Sequence, residues 1–169
     1  TRYWDFAVVS TDIPGGIPHG GAQMARFNSN LAPPPPPVYT EDFGMAAASF
    51  VVLNNAVGPQ LRFWLYNYCE SATDPGDPLD VYLWDNVGGA WIGPYSFNRC
   101  DPNKPNGWDE KLIDLTNPFD FRGYDYSSGD LIYLVFQASS DNPANDKDDN
   151  ILIDDVSVTW TCPDSLEFV

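Results

Sequence analysis

The chain has 169 residues, 43% hydrophobic and 15% aromatic, with 8 basic against 24 acidic side chains and a net charge of −16. One domain of this length buries roughly 70% of its unfolded surface, so a real core can form. The charge excludes nucleic acid and anionic lipid as partners, and no run of roughly 18 apolar residues is present to cross a membrane as a helix.

Such an acidic surface attracts divalent cations and keeps an extracellular protein soluble; a saline or acidic habitat selects the same composition. No basic-then-apolar leader stands at Thr1, so the numbering is expected to begin after processing or inside a longer protein. In chain order, short alternating segments punctuated by turn residues predict nine strands: 5–10, 22–29, 47–53, 60–68, 79–85, 90–97, 110–115, 130–138 and 150–160. No window carries a capped apolar stripe at helical period. Close spacing with turn signals predicts an all-β, two-sheet antiparallel sandwich, one domain over residues 1–169 with a tail at 161–169. Between the second and third strands, Pro33–Pro37 predicts a stiff polyproline II stretch, either a spacer loop or a docking ligand.

The strand 60–68 opposes Leu61, Phe63 and Leu65 to Arg62, Trp64 and Tyr66, so both of its faces are partly covered. The strand 130–138 opposes Leu131, Tyr133 and Val135 to Ile132, Leu134 and Phe136, as a central strand does. In the last strand, strict alternation places Leu152, Asp154, Val156, Val158 and Trp160 on one face and Ile153, Asp155, Ser157 and Thr159 on the other. Asp154 then stands in an apolar row and needs a cation or several hydrogen-bond donors.

Cys69 and Cys100 lie in polar, loop-like contexts (NYCES, NRCDP) and are expected to form a disulfide, closing a loop of about 31 residues worth roughly 3–4 kcal/mol in the chain-entropy picture. Cys162 is left over, either free or paired outside this chain. With one histidine and no CxxC, a zinc site is excluded. His19 lies in IPGGIPHGG without a nucleophile-like Ser or Cys nearby, no carboxylate spacing singles out a glycosidase pair, and the Gly-rich stretch lacks the Lys-Ser/Thr of a phosphate loop. The domain is therefore expected not to be an enzyme.

Two patterns point to chemistry. In DKDDNILIDD, Asp146, Asp148 and Asn150 form a D-x-D-x-N spacing that can turn several oxygens onto one hard cation, with Asp154 as a further ligand of a structural Ca2+. It is not an EF-hand, since Ile151 and Ser157 stand where Gly and Glu are required, and an ordinary solvated acidic hairpin gives the same pattern. Trp84, Trp91, Tyr95 and Trp108 offer amphipathic platforms for a glycan or protein partner, or else pack in the core. Trp84, alternating with Asp80 and Tyr82 against Val81 and Leu83, is the one expected to be most exposed.

Six segments in order carry a resemblance: PHGGAQMARFNS (18–29), QLRFWLYN (60–67), DPLDVYLWDNVGGAW (77–91), GWDEKLIDLT (107–116), DLIYLVFQASSD (130–141) and NILIDDVSV (150–158). Together they resemble the bacterial MAM-like and cleaved-adhesin domains, including the choice-of-anchor relatives. The resemblance implies a jelly-roll sandwich in a secreted multidomain protein, a recognition role and a structural calcium. It reaches this chain through Asp154 and Asp155 in the closing strand and His19–Gly20 in the PHGG turn, whereas Gly21 and the proline run depart from the pattern. The function expected is a non-catalytic extracellular adhesion module binding glycan or protein. The alternatives are a filament or surface-layer subunit that exchanges strands with its own copies and, last, a hydrolase.

Overall fold

The computed structural model describes residues 3–7, 10, 13–28, 42–51, 57–69, 78–85, 90–115, 131–140 and 151–161. Nine strands run through them: β1 (Tyr3–Ala7), β2 (Met24–Asn28), β3 (Asp42–Val51), β4 (Val57–Asn67), β5 (Pro78–Asp85), β6 (Ala90–Asn98), β7 (Gly107–Asp114), β8 (Leu131–Ser140) and β9 (Ile151–Thr161). They form a five-stranded sheet, β1-β2-β9-β4-β7, and a four-stranded sheet, β3-β8-β5-β6, with every pair antiparallel. Each strand overlaps a predicted one. The polyproline run and residues 162–169, which hold Cys162 and the rest of the expected tail, lie outside the described residues, whereas Thr161 ends β9.

Period-two alternation builds the core between the sheets. Leu61, Phe63 and Leu65 of β4 meet Leu79, Val81 and Leu83 of β5 and Leu134, Phe136 and Ala138 of β8. Phe63 is central: its ring meets Phe97 edge-on at 5.4 Å and Phe136 at 5.2 Å, both from the opposite sheet.

Two bulges change which faces the strands present. In β9, Arg62 pairs with Ser157 but Trp64 pairs with Asp154, so Asp155 and Val156 together oppose Phe63 alone. Asp155 takes φ 48°, a left-handed conformation that Asp tolerates better than most side chains. Strict alternation therefore fails. Ile151 and Ile153 before the bulge share the inner core with Val158 after it, and Leu152 and Asp154 belong to the outer face of the five-stranded sheet. In β6, Gly93 and Pro94 together oppose Tyr82, with a cis peptide between them and φ 119° at Gly93. Glycine is required there: a Cβ would stand 2.8 Å from the Val81 carbonyl oxygen.

Disulfide and side chains tie the sheets at one end. Cys69, just past β4, bonds to Cys100, just past β6, with Cα atoms 4.7 Å apart. The buried Asn67 accepts from the Asp101 N–H at 2.7 Å and donates towards the carbonyls of Asp101, Lys104 and Pro105 at 3.1–3.3 Å. It thereby organises the β6–β7 crossing.

Candidate ligand-binding face

The outer side of the four-stranded sheet carries a row of aromatic positions. Trp91 of β6 pairs with Trp84 of β5, and Trp84 pairs with Tyr133 of β8. Trp91 is 49% exposed and Tyr133 36%. Tyr82, two residues before Trp84, sets its ring edge-on to Trp91 with centroids 5.9 Å apart. Burial first, and then the negative charge of Asp80, raise the Tyr82 phenol above its ordinary range, so it is a neutral hydroxyl at physiological pH. On the other side of Tyr82 lies a polar row. Asp80 pairs with Ser96 and with Gln137, and Asp80 Oδ1 accepts the Ser96 hydroxyl at 2.5 Å. Between the two rows Val135, paired with Tyr82, is buried. The face thus presents flat aromatic surface beside clustered acceptors and donors, which suits a polyhydroxylated ligand.

The four aromatic residues singled out in the sequence fall in different places. Trp91 lies on this face. Trp84 holds a position in its row by register, and its side chain lies outside the described residues. Tyr95 does not belong to it: the Gly93–Pro94 bulge turns it inward, where it packs half-buried against the core. Trp108 belongs to the other sheet. Its indole Nε1 donates to the Ile17 carbonyl at 2.9 Å, and its ring meets Tyr66 edge-on at 5.2 Å. The pattern did not single out Tyr82, Tyr133, Asp80, Ser96 or Gln137, which become neighbours only through pairing between distant strands.

A second cluster covers the outer face of the five-stranded sheet, where the segment after β1 folds over it. Ile13 packs with Met24, Tyr66 and Leu152 in a satellite core, and the Tyr66 hydroxyl donates to the Pro14 carbonyl at 3.2 Å. The PHGG turn then docks on β9. Asp154, 8% exposed, accepts the backbone N–H groups of His19 at 2.8 Å, Gly20 at 3.2 Å and Asp155 at 2.8 Å. His19 stacks on Trp64 at 3.8 Å, and its Nδ1 lies 2.8 Å from Asp155 Oδ2. Asp154 therefore obtains its partners from donors of the turn and of its own backbone. Asp146, Asp148 and Asn150, the other predicted calcium ligands, lie outside the described residues.

No protein-family model and no curated protein sequence matches the chain. Among solved structures, CBM28, a carbohydrate-binding module specific for non-crystalline cellulose, superposes with a TM-score of 0.51 at 15% identity, over 94% of this chain and 88% of that one. The CBM22-1 xylan-binding domain of Paenibacillus barcinonensis Xyn10C gives 0.47 at 14% identity, over 93% and 80%. The K3 cleaved adhesin domain of Lys-gingipain from Porphyromonas gingivalis gives 0.45 at 17%, over 94% and 84%. At these identities the likeness, carried by the first of the three, speaks to the fold: the chain is an all-β sandwich of two antiparallel sheets.

Proposed function

We propose that this domain is a non-catalytic, extracellular recognition module that binds glycan on the outer face of its four-stranded sheet. The observation that carries the proposal is the exposed aromatic row of Trp91 and Tyr133, flanked by Tyr82 and backed by the Asp80–Ser96 pair. Aromatic faces stack on the C–H surfaces of sugar rings, and neighbouring polar groups meet the hydroxyls. The specificity of CBM28 for non-crystalline cellulose supports this reading, and the Cys69–Cys100 bond suits an oxidising, extracellular setting. Kinship with the MAM-like and cleaved-adhesin domains is part of the proposal, resting on the six ordered segments.

A glycan array probed with the wild type and with Trp91→Ala tests it. The wild type is expected to retain a defined set of glycans. Trp91→Ala should bind them roughly tenfold or more weakly, about 1.4 kcal/mol, with an unchanged unfolding midpoint. Equal retention by both proteins would contradict the assignment.

A structural Ca2+ at the acidic stretch of sequence preceding β9, on Asp146, Asp148 and Asn150, is a further part of the proposal. Asp154 accepts three N–H donors and is not counted among these ligands. Calcium at a hundredfold excess over Kd should stabilise the fold by roughly 2.7 kcal/mol. An unfolding midpoint indifferent to EDTA and to added calcium would remove the ion from the account.

A further inference from the structure

We infer that the glycan taken by this face is an uncharged chain and that Asp80 is the residue that sets this specificity; the inference rests on the binding reading above. Strands β3, β5, β6 and β8 contain no lysine or arginine, and their only carboxylates are Asp42, Asp80 and Asp85. Among the described residues, Arg26 lies on β2 of the other sheet, and each of the four remaining cations has a partner. Arg62 pairs with Glu110 at 3.1 Å, and Lys104 and Lys111 both reach Asp109 Oδ2, at 2.7 and 2.6 Å. Arg99 is buried, its guanidinium 5.9 Å from the Tyr68 ring centroid. Proteins recognise carboxylates and sulfates with arginine or lysine forks, and this sheet has none.

What the face offers is the opposite charge preference. Asp80 is half-buried in the middle strand of the row Ser96–Asp80–Gln137, two residues along β5 from Tyr82. That step is about 6.8 Å, within reach of a sugar ring lying against Tyr82 and Trp91. The Ser96 hydroxyl fixes the carboxylate's rotamer. An ionised carboxylate has acceptor sites for several further donors, and sugar hydroxyls supply them. A uronate or sulfate on the same ring would face Asp80 with like charge and with no cation of the sheet to offset it, which is how an interface rejects a wrong partner.

Affinity electrophoresis tests this, with two sets of soluble polysaccharides in the gel and the wild type confirmed folded under the running conditions. The neutral set is hydroxyethylcellulose, mixed-linkage β-glucan and galactomannan, and the anionic set is carboxymethylcellulose, polygalacturonate and alginate. The wild type should be retarded by a member of the neutral set and at least tenfold less by every anionic polymer. Asp80→Asn should weaken neutral binding several-fold while narrowing the gap to the anionic set. Ser96→Ala, which keeps the charge but frees the rotamer, should weaken neutral binding and leave the gap in place. Retardation by an anionic polymer equal to that by the neutral set overturns the inference and leaves glycan binding standing, as does an Asp80→Asn variant with the wild-type gap. Retardation by neither set overturns the binding reading itself.

Discussion

Asp154 is the clearest case of a residue whose requirement is legible and whose answer is not. A carboxylate beside Leu152 and Ile153 must find partners, and the sequence says so; that they are backbone N–H groups of His19 and Gly20, 135 and 134 residues away, follows only from the fold. Asp154→Ala leaves these part-buried donors without an acceptor and is expected to cost about 1–2 kcal/mol in denaturant unfolding; a loss within 0.5 kcal/mol, roughly the scale of ordinary surface changes, would show that the turn is not anchored there. Gly20→Ala should displace the Asp155 carboxylate, an oxygen of which a Cβ would meet at 2.6 Å, and break its contact with His19 Nδ1 at little cost in stability. Asp109 supplies a pH signature. Burial pushes its carboxyl up, but the ammonium groups of Lys104 and Lys111 outweigh this and hold it below its ordinary range. A depressed folded-state value contributes stability that is present above the unfolded value and lost as pH falls through the folded one. Asp109→Asn should therefore lower stability at neutral pH and flatten its fall on acidification, read as unfolding midpoints across the acid range.

At the level of elements, all nine strands were legible from alternation and turn residues, and the bulges were not. One extra residue in β9 moves Asp154 to the outer face, and one in β6 separates Trp91 from Tyr95. Alternation cannot report an inserted residue, since it assumes one partner per position. The consequence is testable. Tyr95→Ala should lower stability by about 2–4 kcal/mol, a core truncation at a half-buried site, whereas Trp91→Ala should leave the midpoint near wild type. The reverse pattern would restore the unbulged register. The sheet edges bear on strand exchange. β7 ends the five-stranded sheet and turns Asp109 and Lys111 towards the core side, Lys111 lying 5.8 Å from the Phe97 ring centroid. β6 ends the other sheet with a bulge and Pro94. Inward charges, bulges and proline are the devices that keep an edge from pairing with a second chain, so these two edges speak against assembly by strand addition there.

Across the whole molecule, the two sheets are joined by the core and pinned at one end by Cys69–Cys100 and Asn67. Reducing the disulfide should cost about 3–4 kcal/mol on the chain-entropy estimate, and Asn67→Ala about 2 kcal/mol through its orphaned partners. The proposed binding face is the outer side of the four-stranded sheet. Backbone amide chemical shifts, followed while a bound glycan is titrated in, test it most directly. Perturbations are expected to concentrate on β5, β6 and β8, at Asp80, Tyr82, Trp91, Ser96, Tyr133 and Gln137. Perturbations concentrated on the opposite sheet, at His19, Trp64 and Trp108, would contradict it.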